Sequence, residues 1–400
     1  MKRISPILIL VLVSACSGGG DPETSSKAWR VNTTSGAVTA EVAKNVVSWR
    51  DIPYAQPPVG ALRWRAPKPV ESPLGELSVR DNVACLQVAW DGGGIPGDGV
   101  VGAEDCLYLD ITAPVRASAV EPLPVMFWIH GGGNTSGFKG YYDFSTLVES
   151  QQVIVVAINY RLGPFGWFSH PVVQKQAEGL DRSSNFGTLD IIQALSWVQQ
   201  NISEFGGDAK NVTLFGESAG GHNVFALLAS PLSEGLFQKA ISQSGYLKTN
   251  TVEEAINADD DYPRIRRSSS QLFASMVDAG VLADVSTKSA YDVAGNTLME
   301  YYLELDDQGD VPLTTADGIV ISKEGMLAAL ADSSNAKDVP VIAGANRDEV
   351  TLWMSRHRYF VNADYLLTRW LPPRITLRDP DLYAFWARIR SEAWKLRGVD

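Results

Sequence analysis

Four continuous apolar runs constrain the fold of this chain more than any other feature. They are VMFWI at 125–129, VIVVAI at 153–158, VTLF at 212–215 and VPVIAG at 339–344. Runs without polar alternation are typical of strands that are buried on both faces. Between the second and third runs, apolar residues recur at helical spacing, namely Leu189, Ile192, Leu195, Val198 and Ile202. Strands that alternate with helices predict an α/β fold in which helices flank a mostly parallel central sheet.

The composition argues against one class of binding partner. With 45% apolar residues among 400, the chain can bury a large core. The formal net charge is −12, and Lys and Arg form no basic stripe. Such a surface repels polyphosphates, so we expect no nucleic-acid partner.

The amino-terminal segment is typical of an exported lipoprotein. Lys2 and Arg3 precede a short apolar run, and small residues then lead to Cys16. This pattern predicts a signal peptide over 1–15, a lipidated Cys16 and a flexible tether over 16–27. The folded domain then covers 28–400. We expect anchoring to a bacterial membrane, at the outer membrane or cell surface rather than the inner membrane; the alternative is an ordinary signal peptide with an incidental cysteine.

Two cysteines remain if Cys16 carries lipid. Cys85 and Cys106 are an even pair in a chain that we expect to enter an oxidising compartment. We therefore predict a disulfide between them. Two free buried thiols would instead suit a cytoplasmic protein.

The segment GESAG at 216–220 lies directly after the VTLF run and before the apolar helical pattern GHNVFALLA. A GxSxG between a strand and a helix is typical of a nucleophile elbow, in which Gly216 and Gly220 permit a tight turn that exposes Ser218. A chance match in a glycine-rich loop is the alternative, and the two flanks argue against it. We predict that Ser218 is a nucleophile.

A second glycine run, HGGG at 130–133, follows the VMFWI run. Glycines allow backbone amides to approach a developing oxyanion, to which the amide of Ala219 would also donate. A plain glycine turn is the alternative interpretation. A phosphate-binding loop is excluded, because Phe138 stands where that motif requires lysine.

Together with longer segments, these motifs make the chain resemble the type B carboxylesterase family, which includes the cholinesterases. The similar segments cover most of the chain after the tether; they are IPYAQPPVGALRW at 52–64, EDCLYLDI at 104–111, WIHGGGNTSG at 128–137, NYRLGPFGW at 159–167, NFGTLD at 185–190 and NVTLFGESAGG at 211–221. The resemblance implies the α/β-hydrolase fold and cleavage of carboxylic esters. It also implies that an upstream cysteine pairs with the cysteine of the EDCL segment.

The resemblance assigns further roles. It implies that the oxyanion donors are the amides of Gly132, Gly133 and Ala219. The family's acidic triad residue falls in ANRDEV at 345–350, on Glu349, although a valine replaces the usual glycine after it. Glu217 matches the family's residue before the serine and would bias the electrostatics of the site.

The histidine that would act as base is the open point. His130 leads into the glycine run, His222 lies one helical turn beyond Ser218, and His170 precedes the acid, although hydrolases of this fold order the triad as serine, acid, histidine. His357 follows Glu349, but only eight residues later. In the resembled family the base lies on a later loop.

We therefore expect the base beyond residue 400 and expect the 400 residues alone to be inactive. The alternative is a scaffold that has lost its triad. The predicted helix near 379–398, which begins at Asp379 and has one apolar side with nothing to cover it, also suggests a longer protein.

The predicted function is hydrolysis of a small-molecule carboxylic ester through an acyl-enzyme. No metal, nucleotide or organic cofactor is required. Two alternatives stay open: a non-catalytic binding protein on the same fold, and an amide or carbamate hydrolase. Residues 246–335 are more polar and are expected to form an insertion that caps a pocket.

Overall fold

The computed structural model describes residues 29–80, 83–89, 95–117, 121–175, 177–257, 268–305, 312–335, 337–347, 349, 361–364, 374–377 and 381. The predicted signal peptide, Cys16 and the tether lie outside these residues. The helix predicted near 379–398 also lies outside them, except for Asp381. No helix of the described residues is long and apolar enough to cross a bilayer.

Strands follow one another up to residue 129, and strands then alternate with one or more helices up to residue 344. The strands are β1 Arg30–Asn32, β2 Ala37–Thr39, β3 Glu41–Ala43, β4 Val46–Pro53, β5 Gln87–Val88, β6 Val100–Val101, β7 Tyr108–Pro114, β8 Leu123–Ile129, β9 Ile154–Ile158, β10 Gly207–Glu217, β11 Lys239–Gln243, β12 Val341–Gly344, β13 Val361–Asp364 and β14 Arg374–Leu377. The helices are α1 Ser145–Gln151, α2 Gly163–Gly166, α3 Pro171–Gln174, α4 Phe186–Asn201, α5 Ala219–Ala229, α6 Val252–Ile256, α7 Ser269–Asp278, α8 Thr287–Asp292, α9 Gly295–Glu304 and α10 Met326–Ala331.

Eight strands form the central sheet in the order β12-β11-β10-β8-β9-β7-β4-β3. The five strands from β12 to β9 are parallel, and β7, β4 and β3 extend the sheet with antiparallel pairings. The predicted mostly parallel α/β architecture is therefore confirmed. In such a sheet the carboxyl ends of neighbouring parallel strands meet at one edge, which is where ligands bind in open α/β folds.

The apolar runs form strands as predicted, with one correction. Strand β9 is buried along its whole length, as its β-branched sequence IVVAI requires. The run VPVIAG at 339–344 was expected to be buried on both faces, but β12 is exposed throughout, with Ile342 66% exposed. Side chains of a strand point to the two faces of the sheet, and neither face of β12, the outer strand of the described sheet, is covered by the described residues.

Helix α4 covers the sheet on the side of the main core. The predicted apolar positions Leu189, Ile192, Leu195 and Val198 are buried, but so are Ile191, Ala194 and Trp197 on other sides. The helix is buried nearly all round because it lies between the sheet and other helices. On the opposite face, α1 covers a smaller cluster around Val148.

The excursion between β11 and β12 is helical. It contains α6 to α10, and α7 and α9 contribute buried residues such as Phe273 and Leu298 to the main core. This segment covers most of the predicted insertion at 246–335.

Candidate active site

The predicted strand, turn and helix are present around Ser218. Strand β10 ends at Glu217 and α5 begins at Ala219, so that a single residue makes the turn. Ser218 has φ 57° and ψ −119°, a conformation that costs a non-glycine residue roughly 1–3 kcal/mol. The turn is held on both sides, because the amide of Ser218 donates to the carbonyl of Gln243 at 2.8 Å and its carbonyl accepts from the amide of His222 at 2.9 Å.

The two flanking glycines are required by close packing. A Cβ built on Gly216 would lie 2.6 Å from the carbonyl carbon of Gly220. A Cβ on Gly220 would lie 2.1 Å from the carbonyl oxygen of Ile129, the last residue of β8. Helix α5 therefore presses directly against the end of the neighbouring strand, which brings Ser218 beside the loop that follows β8.

That loop contains the predicted oxyanion glycines. A Cβ built on Gly131 would lie 3.3 Å from the Cβ of Ser218 and 2.7 Å from the carbonyl oxygen of Glu217. Gly132 and Gly133 have φ 99° and 63°, which favours glycine at both positions. The structure thus brings the glycine run and the serine together.

The orientation of one peptide group leaves an amide free to bind a ligand. The carbonyl of Gly132 points into the loop and accepts hydrogen bonds from the amides of Thr135 and Ser136, at 3.1 and 3.0 Å. Because the peptide is trans, the amide of Gly133 points the opposite way. Within the described part of the chain, no hydrogen bond uses the amides of Gly132, Gly133 or Ala219.

Two carboxylates lie near this turn. The side chain of Glu217 borders the glycine run, since a Cβ on Gly131 would lie 3.0 Å from its Oε2. Burial raises the pKa of Glu217, and the negative charge of Glu349 raises it further. Glu349 follows β12, and its Oε2 accepts from the amide of Asn346 at 3.0 Å. The structure therefore places Glu349 within electrostatic reach of the residue next to Ser218.

The described histidines are engaged elsewhere. His222 is fully buried, and its ring nitrogens lie 2.8 Å from the carbonyl oxygen of Tyr246 and 2.7 Å from Oγ1 of Thr314. His170 caps α3 by accepting from the amide of Val172. His357 lies outside the described residues.

His130 is buried behind the glycine run. Its ring stacks on Tyr160, and its Nδ1 lies 2.8 Å from the carbonyl oxygen of Gly131. Burial lowers the pKa of His130 to about 4, as it does for His222. Both rings are therefore neutral near pH 7. Neither ring forms a hydrogen bond with Ser218.

The cysteine pair lies close to the same loop. The sulfur atoms of Cys85 and Cys106 are 2.05 Å apart, at bonding distance, and both residues are buried. Two residues after Cys85, the side chain of Gln87 bonds the glycine-run loop at Gly137. Sequence reasoning missed Gln87, because an isolated glutamine in a loop has no pattern that would single it out.

Tyr142 was also missed. Its ring lies edge-on to Trp128, at 5.1 Å between centroids, and is 42% exposed. Burial raises the pKa of Tyr142, and the negative charge of Glu217 raises it further. Tyr142 and Trp128 therefore form an aromatic pair within electrostatic reach of Glu217.

A strained serine between a parallel strand and a buried helix, beside a glycine loop at the carboxyl edge of the sheet, defines the α/β-hydrolase class. Residues 27–364 match the model of the carboxylesterase family. The chain belongs to the carboxylesterase family.

Named relatives agree with this assignment. The chain is 38% identical to the para-nitrobenzyl esterase of Bacillus subtilis over 335 residues, which is 81% of this chain and 64% of that protein. It is 34% identical to carboxylesterase 1E of Mus musculus over 377 residues, which is 86% of this chain and 63% of that protein. The chain thus spans less than two thirds of the length of these relatives.

Solved structures agree as well. A PNB esterase structure matches with a TM-score of 0.69 and 32% identity, covering 84% of this chain and 66% of that one. A carboxylesterase of Geobacillus stearothermophilus matches with a TM-score of 0.68 and 30% identity, covering 82% and 63%. At these identities the likeness extends beyond the fold to the sequence.

Proposed function

We propose that the protein hydrolyses carboxylic esters of small molecules by acyl transfer to Ser218. The observation that carries this proposal is the strained backbone of Ser218 beside a glycine loop whose amides lack hydrogen-bond partners among the described residues. A strained elbow that persists despite its cost of roughly 1–3 kcal/mol is typical of a site where the strain serves chemistry. Membership of the carboxylesterase family and the esterase names of its relatives support the same reaction.

In this mechanism the hydroxyl oxygen of Ser218 attacks the acyl carbon. The amides of Gly132, Gly133 and Ala219 stabilise the negative charge on the carbonyl oxygen, a contribution that removal of one donor typically reduces by about 2.7–4 kcal/mol. A histidine takes the serine proton and returns it to the leaving alcohol, while Glu349 orients that histidine. Water then releases the acid from the acyl-enzyme by the same route.

We propose that the base lies outside the described residues. The ring nitrogens of His222 have partners at 2.7 and 2.8 Å, and His130 stacks behind the glycine run. A histidine on a later loop, as in the resembled family, is the better candidate, and His357 is the second. Glu217 remains a neighbour of the site whose partly buried charge would favour polar or cationic leaving groups.

The remaining assignments are proposals of the same kind. We propose that Cys16 carries the lipid after cleavage of 1–15, that 16–27 tethers the domain to a bacterial membrane, and that 246–335 caps the pocket. We also propose a disulfide between Cys85 and Cys106, which suits a protein exported to an oxidising compartment.

A non-catalytic binding protein on the same fold is the second candidate. The observation that favours it is that no imidazole ring among the described residues forms a hydrogen bond with Ser218. An amide or carbamate hydrolase would use the same groups and differ only in the leaving group.

Labelling with a fluorophosphonate probe tests the proposal on the full gene product. Covalent labelling that disappears in Ser218→Ala supports the hydrolase. Ser242→Ala serves as the control, because the Ser242 hydroxyl is buried and donates to the carbonyl of Gly221 at 3.0 Å. Absence of labelling in a folded wild-type protein would favour the binding protein.

A further inference from the structure

A buried glutamine forms hydrogen bonds with the glycine-run loop, residues 130–139, on the side away from Ser218. Gln87 is fully buried, and its side chain makes three hydrogen bonds to backbone groups. Its Nε2 donates to the carbonyls of Gly137 and Cys85, each at 3.0 Å, and its Oε1 accepts from the amide of Gly137 at 2.9 Å. One side chain therefore satisfies both backbone groups of Gly137.

Gly137 in turn supports the start of the same loop. It has φ 110°, and a Cβ at this position would lie 2.4 Å from Nδ1 of His130 and 2.7 Å from the carbonyl oxygen of Gly131. The loop thus closes on itself, with Gly137 packed against the residues that lead into the oxyanion glycines. Gly131 is the residue that borders Ser218 on the other side. A continuous series of contacts runs from Gln87 to the serine.

The loop is held firmly beyond Gly137 as well. The amide of Lys139 donates to Oδ1 of Asn159 at 2.8 Å, and its buried ammonium lies 2.7 Å from Asp51 and 2.8 Å from Asp110. Between this anchor and the end of β8, Gln87 is the side chain that bonds Gly137. Asn134 is held independently, since its Nδ2 donates to the carbonyl of Pro312 at 2.9 Å and its Oδ1 accepts from Asn223 at 3.0 Å. Loss of Gln87 would therefore free residues 135–138, and with them the amides of Thr135 and Ser136 that orient the carbonyl of Gly132.

The position of Gln87 is set from outside the loop. Cys85 lies at bonding distance from Cys106, directly before β7, and Gln87 pairs with Val101 in the small sheet of β5 and β6. The surrounding structure therefore fixes the position of the glutamine, as is required of a residue that holds other groups in place.

We propose that Gln87 is a positioning residue for acyl transfer, one that fixes the amides of Gly132 and Gly133 through Gly137. This inference rests on the proposed esterase function. Gln87 acts on the geometry of the oxyanion donors, which are used fully only in the transition state. Its loss therefore lowers kcat and leaves KM nearly unchanged.

The test compares Gln87→Met, Gln87→Glu and a matched control in the full gene product. Methionine keeps the volume and removes all three hydrogen bonds, whereas glutamate, which burial favours in its protonated form, keeps the acceptor for the Gly137 amide and can donate to one carbonyl only. The control is Gln199→Met, because Gln199 donates to the carbonyls of Ala209 and Leu236, both at 2.9 Å, away from the loop.

Two readouts are measured. Hydrogen–deuterium exchange of peptides from 131–140 is expected to be faster by roughly tenfold in Gln87→Met. For a p-nitrophenyl ester, kcat is expected to fall about 100-fold with KM within about threefold, the size of effect expected when an oxyanion donor is displaced. Gln87→Glu is expected to lie between Gln87→Met and the wild type, and Gln199→Met to match the wild type in both readouts.

Wild-type exchange in 131–140, or an unchanged kcat, in folded Gln87→Met would overturn the proposal. If Gln87→Met does not fold, Gln87→Glu decides by the same two measurements, because a wild-type kcat would contradict the role. If the wild-type protein hydrolyses no ester, the proposed function fails. Exchange in 131–140 still tests whether Gln87 holds the loop.

Discussion

Mild acid is expected to destabilise this protein through two buried imidazoles. His130 and His222 are 2% and 0% exposed, and burial lowers the pKa of each to about 4. In the unfolded chain both rings regain their ordinary value of about 6.5. Between these values the unfolded state binds protons that the folded state does not, so stability falls as the pH drops below about 6.5.

The contacts of His222 explain why protonation is unfavourable. A carbonyl oxygen can only accept, so the ring nitrogen facing Tyr246 carries the hydrogen. The other nitrogen then accepts from the hydroxyl of Thr314, at 2.7 Å. Adding a proton there would place a charge in the core and reverse that hydrogen bond.

The magnitude follows from linkage. At pH 5 each ring contributes about 2 kcal/mol less to the free energy of unfolding than at pH 7, and the pair contributes about 4 kcal/mol less. That is a large part of the 5–15 kcal/mol that is typical of a folded domain. Urea unfolding followed by tryptophan fluorescence at both pH values measures the difference.

The variant His222→Asn isolates one ring. Asparagine does not titrate and can still donate to the Tyr246 carbonyl, so the variant loses about 2 kcal/mol less than the wild type between pH 7 and pH 5. The comparison uses the pH-dependent change and not the absolute stability, which the substitution alters by itself. Equal losses in the two proteins would refute the assignment of His222 as a buried neutral ring.

Two substitutions test the packing that positions the site. Gly220→Ala places a Cβ 2.1 Å from the carbonyl oxygen of Ile129 and is expected to lower the free energy of unfolding in urea by about 3 kcal/mol. Gly344→Ala is the control, because the space around its Cβ is open. Equal losses in the two variants would contradict the packing argument. Asp190 and Arg161 form a buried ion pair at 2.7 Å. Asp190→Asn leaves Arg161 buried without a carboxylate partner and is expected to lower the free energy of unfolding by about 3–5 kcal/mol. A loss under about 1 kcal/mol would show that the protein does not need the ion pair for stability.

Local stereochemistry could be read from the sequence. The apolar runs predicted the central strands, and the glycines of GESAG predicted a turn that only residues without a Cβ allow at 216 and 220. These predictions succeed because burial on both faces and close backbone approach depend on nearby residues. The triad role of Glu349 came from resemblance and stays a prediction.

The surroundings of a residue within the fold could not be predicted from the sequence in the same way. The apolar sequence of β12 predicted burial, yet the strand is exposed because the described residues cover neither of its faces. Likewise His222 and Ser218 are four residues apart in sequence, but the ring points to Tyr246 and Thr314. Sequence spacing alone could not distinguish a base from a core histidine.

The sequence by itself determined the class of fold, the turn at Ser218 and the glycine loop, since each depends on what short stretches of backbone can adopt. The tertiary structure alone decided which distant residues come together there. Gln87 forms a hydrogen bond with Gly137, and the charge of Glu349 raises the pKa of Glu217. These pairs are 50 to more than 100 residues apart in sequence, so they depend on strand order and loop closure and not on any local pattern.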